Sequence, residues 1–80
     1  MIEYVLVTVK YSNRMEKDME LPAQVEVDKV CSMLLETLQT AEPILFSDKE
    51  SISLKYKNKL VDSGTLYENK IWNGSILEII

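Results

Sequence analysis

A change of hydrophobic period fixes most of what this chain can become. From Ile2 to Tyr11 the side chains alternate, with Val5, Val7, Val9 and Tyr11 on one face and Tyr4, Leu6, Thr8 and Lys10 on the other, which is the period of a strand. From Val27 the repeat lengthens, and Val27, Val30, Cys31, Leu34 and Leu38 fall on one stripe flanked by Met33 and Leu35, the pattern of an amphipathic helix. After residue 50 the two-residue period returns. One helix with a single apolar stripe can cover one face of one sheet, so the strands on either side of it need only one apolar face each.

Between these segments the punctuation is local. Ser12-Asn13-Arg14 is a short polar turn, and beyond it Met15, Lys17, Met19 and Leu21 alternate with Glu16, Asp18 and Glu20, so the first two strands read as a hairpin. The three carboxylates suit an edge strand, where charge opposes unwanted pairing. Lys17, on the nominal core side, is expected to snorkel outward. Pro22 stops the second strand. The helix is expected over residues 26–40 with Glu26 and Asp28 at its positive end, although no Ser, Thr, Asp or Asn stands at the cap position. Pro43 bars further extension. Ile44-Leu45-Phe46 reads as an apolar connector beneath the helix end, 51–57 as a strand, Asn58-Lys59 as a turn and Leu60-Val61 as a short strand. Asp62-Ser63-Gly64 forms a loop, Leu66 to Lys70 a turn of helix, and Ile76 to Ile80 a closing strand whose β-branched residues are expected to leave no free tail.

At 80 residues the chain is expected to form one domain, residues 1–80, burying about 60 to 65% of the surface that the unfolded chain exposes. A net charge of −4 argues against coating nucleic acid or anionic lipid, both of which need a basic surface. The single cysteine, Cys31, rules out an internal disulfide and fits a reducing compartment. No apolar run reaches the roughly 18 residues of a membrane span, and Met1-Ile2-Glu3-Tyr4-Val5 lacks the basic start of a secretion signal. A cytoplasmic location is the expectation. Enzymatic function is not expected: there is no histidine and no phosphate-cradling glycine loop. Cys31 lies on the apolar stripe, where burial raises a thiol's pKa and suppresses its reactivity. Glu16, Asp18 and Glu20 are spread by almost ~7 Å per pair along a strand and lack a ligand-loop pattern, so neither a metal nor a cofactor is expected.

The order β-β-α-β-β-β points to an α+β, ubiquitin-like β-grasp: a mixed sheet of four to five strands with one helix packed across one face. From Ser53 to Ile80 the register resembles ubiquitin, through Lys59-Leu60, Gly64-Thr65-Leu66, Ile71 and Leu77-x-Ile79. A closer likeness is to the bacterial YukD/EsaB family of ubiquitin-like proteins associated with type VII secretion. It is carried by Lys10-Tyr11-Ser12-Asn13, by Leu21-Pro22-Ala23 with Val27-x-Lys29-Val30, and by Ile71-Trp72-Asn73-Gly74-Ser75-Ile76-Leu77-Glu78-Ile79. Ser75 stands where that family often has Asp, and it can make the same kind of turn bond. The resemblance implies a cytoplasmic, non-conjugated accessory protein whose partner is a type VII secretion component or regulator. Trp72-Asn73-Gly74 also spells the W-x-G signature of the helical substrates of such systems, but here it precedes a period-two strand and reads as turn chemistry, with Asn-Gly supplying positive φ angles.

The candidate partner surface is the solvent side of the sheet. Where ubiquitin has an apolar patch centred on an isoleucine, this chain has Lys55. Lys55 and Lys57, with Lys10 and Lys59 nearby, are expected to form a basic area, with Tyr4, Leu6 and Ile80 adding apolar contact. Trp72 is expected to point away from the buried Ile71, either packed or as an interface anchor. Pairing of two copies through the sheet stays open. Two other readings compete. A covalent modifier or sulfur carrier requires an exposed Gly-Gly carboxylate, which Glu78-Ile79-Ile80 does not offer. A generic β-grasp adaptor would pair an edge strand with a partner strand, which the charged second strand opposes.

Overall fold

The computed structural model describes residues 3–80, so the expected start of the first strand at Ile2 lies outside the described residues. β1 (Tyr4–Tyr11) and β2 (Met15–Pro22) form an antiparallel hairpin paired residue for residue from Tyr4–Pro22 to Tyr11–Met15. Helix α1 (Val27–Ala41) follows, then a single turn α2 (Pro43–Phe46), then a second hairpin of β3 (Leu54–Tyr56) and β4 (Lys59–Val61). β5 (Ile76–Ile79) enters between the hairpins, parallel to β1 and antiparallel to β3, giving one mixed sheet in the order β2-β1-β5-β3-β4.

The core lies between α1 and one face of this sheet. Val7, Val9, Leu54, Leu77 and Ile79 meet Val27, Val30, Leu34 and Leu38 there, closed at one end by Phe46 and at the other by Leu66 and Ile71. The expected alternation is therefore realised: Val7 and Val9 are buried while Tyr4 and Leu6 face solvent. Cys31 is half-buried at the margin of the stripe rather than within it.

Three local expectations change, and one about Lys17 holds. The strand expected over 51–57 shrinks to Leu54–Tyr56, with Ile52 buried ahead of it. Lys57 does not belong to that strand: Lys57 (φ 52°) and Asn58 (φ 65°) are the two central residues of a hairpin turn closed by the Tyr56–Lys59 pair. Both positive φ angles match the turn that suits strand twist, at a steric cost for the lysine. The apolar connector is a turn of helix begun by Pro43, whose fixed φ starts α2 as readily as it ends α1. Only Phe46 is buried there, against Tyr11 with ring centroids 4.9 Å apart, while Ile44 is 95% exposed. Lys17 does swing outward, and its ammonium reaches the Glu42 carboxylate at 3.0 Å, tying β2 to the end of α1.

The weak start of α1 is completed from far away in sequence. Glu26 offers no side-chain cap, but the Val27 N–H donates to the Gly64 carbonyl at 2.8 Å, and Glu26 bridges to Thr65. A donor left orphaned by local sequence is thus satisfied by a loop. At the other end of the chain, Ile80 and Ser53 exchange backbone hydrogen bonds of 2.9 and 3.1 Å, which extends the β5–β3 pairing past Ile79.

Candidate functional site

The loop between β4 and β5 is the most highly bonded irregular segment of the molecule. Thr65 and Glu68 form a reciprocal capping box: the Thr65 N–H donates to Glu68 Oε1 and the Glu68 N–H donates to Thr65 Oγ1, both at 3.0 Å. The turn they start ends in a Schellman motif. Lys70, at φ 61°, donates its N–H to Tyr67 O, Ile71 donates to Leu66 O, and the side chains of Leu66 and Ile71 are both fully buried. With Leu66 drawn inward, Tyr67 must face out.

The next turn docks this loop on β1. The Ser75 N–H donates to Trp72 O, and the Trp72 N–H donates to Ser75 Oγ, so Ser75 does make the turn bond expected of it. Only Gly74 of the Asn-Gly pair has a positive φ, 89°. Asn73 serves instead through its side chain, whose Oδ1 accepts the Leu6 N–H at 2.8 Å while the Gly74 N–H donates to Leu6 O. Tyr67 is tied to the same end by its N–H on Ala23 O, and Ala23 in turn donates to Glu3 O.

These bonds gather five large apolar side chains at one end of the sheet. Tyr4, Leu6, Tyr67, Trp72 and Ile76 are each about half exposed, and Trp72 meets Tyr67 edge to face with centroids 5.2 Å apart. Leu6 and Ile76 stand on neighbouring strands. Exposed apolar groups scattered singly need no explanation, but a cluster held on rigid backbone does.

The rest of the expected surface is distributed differently. On the outer face, Glu16, Lys10, Glu78, Lys55 and Leu60 are successive register partners across all five strands. The lysines therefore alternate with carboxylates in a nearly neutral row, and no basic area forms around Lys10 and Lys55. The Lys10–Glu16 contact is 3.7 Å between well-exposed groups, the kind of pair that adds little stability. Lys57 sits in its turn with its ammonium 5.3 Å from the Tyr56 ring centroid. A hydrogen bond from Ser75, with Lys57 nearby, draws the Tyr56 hydroxyl below its ordinary pKa. Ile80 is half exposed but remote from Leu6: Lys10 pairs with Glu78, and six residue steps along parallel strands amount to roughly 20 Å. The structure thus brings Tyr4, Leu6 and Trp72 together, places Lys10 and Lys55 in the charged row, and leaves Lys57 and Ile80 apart from the cluster.

Tyr67 and Ile76 were not singled out by the sequence reading. The pattern Thr65-x-x-Glu68 was the available signal for Tyr67, since a capping box fixes which residue of the turn points inward. Cys31 lines a separate groove beside Asp28, Ile52 and Val61; burial, helped by the Asp28 charge, pushes its thiol above the ordinary value, which leaves it protonated at neutral pH and a poor nucleophile.

The family model described as WXG100 protein secretion system (Wss), protein YukD, matches residues 4–79. Among solved structures, the ubiquitin-like domain of EccD5 from Mycobacterium xenopi superposes with a TM-score of 0.78 at 14% identity, covering 98% of this chain and 93% of that one. The ubiquitin-like domain of the type VII secretion protein ECCD1 from Mycobacterium tuberculosis gives 0.74 at 16% identity, with 98% of each chain covered. A ubiquitin-like domain from Arabidopsis thaliana gives 0.66 at 20% identity, over 96% of this chain and 76% of that one. No curated protein sequence matches the chain. The fold is ubiquitin-like, and among the described residues no helix is long and apolar enough to cross a membrane.

Proposed function

This chain belongs to the YukD family of the WXG100 protein secretion system, and from that premise we propose that it works as a non-catalytic docking subunit in the cytoplasm. It engages another protein of a type VII secretion machine through the surface of Tyr4, Leu6, Tyr67, Trp72 and Ile76. The observation that carries this reading is the anchoring of that surface. Two turns and their side-chain bonds hold Trp72 and Tyr67 half in water, and preorganised aromatic groups are the usual anchors of protein interfaces. The neutral charge row beside it supplies a solvated border rather than a steering field.

Affinity capture of the tagged protein from its native cell is expected to recover a component of the secretion machine. Leu6→Glu and Trp72→Ala are each expected to weaken that capture by about tenfold or more, the scale of a central anchor, with little change in thermal midpoint. Capture without any secretion component, together with normal export after deletion of the protein, would defeat the proposal.

A further inference from the structure

The edge of the sheet next to that cluster carries a second surface, built from backbone as much as from side chains. β2 is an edge strand of eight residues, paired with β1 along its whole length and on no other side among the described residues. Every second residue of such an edge presents its N–H and C=O to solvent. Beneath that edge a groove of ≈300 Å³ runs between β2 and α1, floored by Met19, Leu21, Val30, Met33 and Leu34 and reached at one end by Tyr4. The Lys17–Glu42 ion pair stands beyond it, at the other end of the strand.

The charges on this edge select what can join it. Glu16, Asp18 and Glu20 occupy alternate positions on the outer face, all exposed. Glu16 has only the long contact to Lys10; Asp18 accepts the Thr8 hydroxyl at 2.7 Å. Among the described residues, neither Asp18 nor Glu20 has a cation within ion-pair distance. A second copy joined antiparallel through β2 would set carboxylates against carboxylates across the new pair, which is unfavourable. A strand with Lys or Arg at alternate positions would instead place a cation opposite each one.

We propose that β2 and the groove beneath it form a strand-addition site for an extended segment of another protein, in which basic residues alternate with apolar ones. The basic side chains pair with Glu16, Asp18 and Glu20 on the outer face, and the apolar ones enter the groove over Met19 and Met33, whose flexible thioether side chains adapt to varied shapes. The site adjoins the Trp72 surface, with Tyr4 lining the groove and Leu6 pairing with Glu20, but it is built on the other edge of β2 and stands whether or not the secretion role does.

The test titrates the isotope-labelled protein with three synthetic peptides as long as β2: alternating Lys and Val, alternating Glu and Val, and the Lys-Val peptide with a central Pro. The Lys-Val peptide is expected to shift and protect amides of residues 15–22, with further shifts at Met33 and Thr37, and to bind more weakly as salt is added. Asp18→Asn with Glu20→Gln is expected to weaken it by about tenfold, the combined effect of cross-strand charge pairs. The Glu-Val and Pro-interrupted peptides are expected not to bind. Equal binding of the Pro-interrupted peptide would reduce the effect to loose charge attraction and overturn the proposal. So would perturbation centred on Trp72, concentration-dependent self-pairing of β2 without peptide, or no response to the Lys-Val peptide.

Discussion

The two irregular connections of this fold, residues 42–53 and 62–75, solve different problems. The first is held by two buried side chains, Phe46 and Ile52, and by Gln39, whose side-chain amide donates to Phe46 O and Lys49 O. Leu45 is half-buried against the core, while Ile44 is left almost wholly in water. The second buries Leu66 and Ile71, caps its own turn at both ends, and caps α1 as well. Both expose apolar surface, yet only the second fixes it in place with bonds that the fold did not otherwise need. Exposure alone says little; exposure on an immobilised backbone points to use.

Substitutions can break or sharpen this contrast. The largest effect is expected from Phe46→Ala, which removes the most deeply buried anchor of residues 42–53 and should cost about 3–4 kcal/mol in denaturant unfolding. If the loss were below about 1 kcal/mol, the first connection would be no structural element at all. Gly64→Ala comes next, at about 1–2 kcal/mol: the residue sits at φ 75°, and an added Cβ would lie 3.2 Å from Glu68 Oε1. Thr65→Ala should cost about 1 kcal/mol by opening the capping box. It should also loosen the Tyr67–Trp72 contact, seen as a shift in Trp72 fluorescence. Unchanged fluorescence would mean that the turn does not position the aromatic pair. The smallest effect is expected at Ile44→Ser, within about 0.5 kcal/mol and with partner capture intact; lost capture there would move the interface to the first connection.

The helix, both hairpins and the central closing strand were legible because each declares itself in a local period. Val7 and Val9 need only alternation, and Leu34 and Leu38 only a helical stripe. What was not legible depended on partners distant in sequence or on special backbone angles. The missing cap of α1 is supplied by Gly64, which no reading of residues 22–30 could contain. The turn at Lys57-Asn58 lacks the glycine that marks such turns, so alternation alone carries the strand one residue too far, into Lys57. The apolar part of the site was half readable. Alternation put Tyr4 and Leu6 outside, but their meeting with Trp72 depends on Asn73 bonding to Leu6. The lysines were misjudged because strand register, not strand composition, decides which charges face one another. Only the pairing of Lys10 and Lys55 with Glu78 reveals a neutral row.

The place of β5 between the two hairpins has a consequence for how the molecule is made. Among the described residues, 76–79 supply the only strand that touches both β1 and β3, and they follow both hairpins in the order of synthesis. Until they leave the ribosome, β1 and β3 each have a bare flank and the sheet is two separate halves. Cooperative closure must therefore wait for contacts spanning most of the chain, and a truncation just before residue 76 should yield a species held by its hairpins and prone to being joined by strands of other chains.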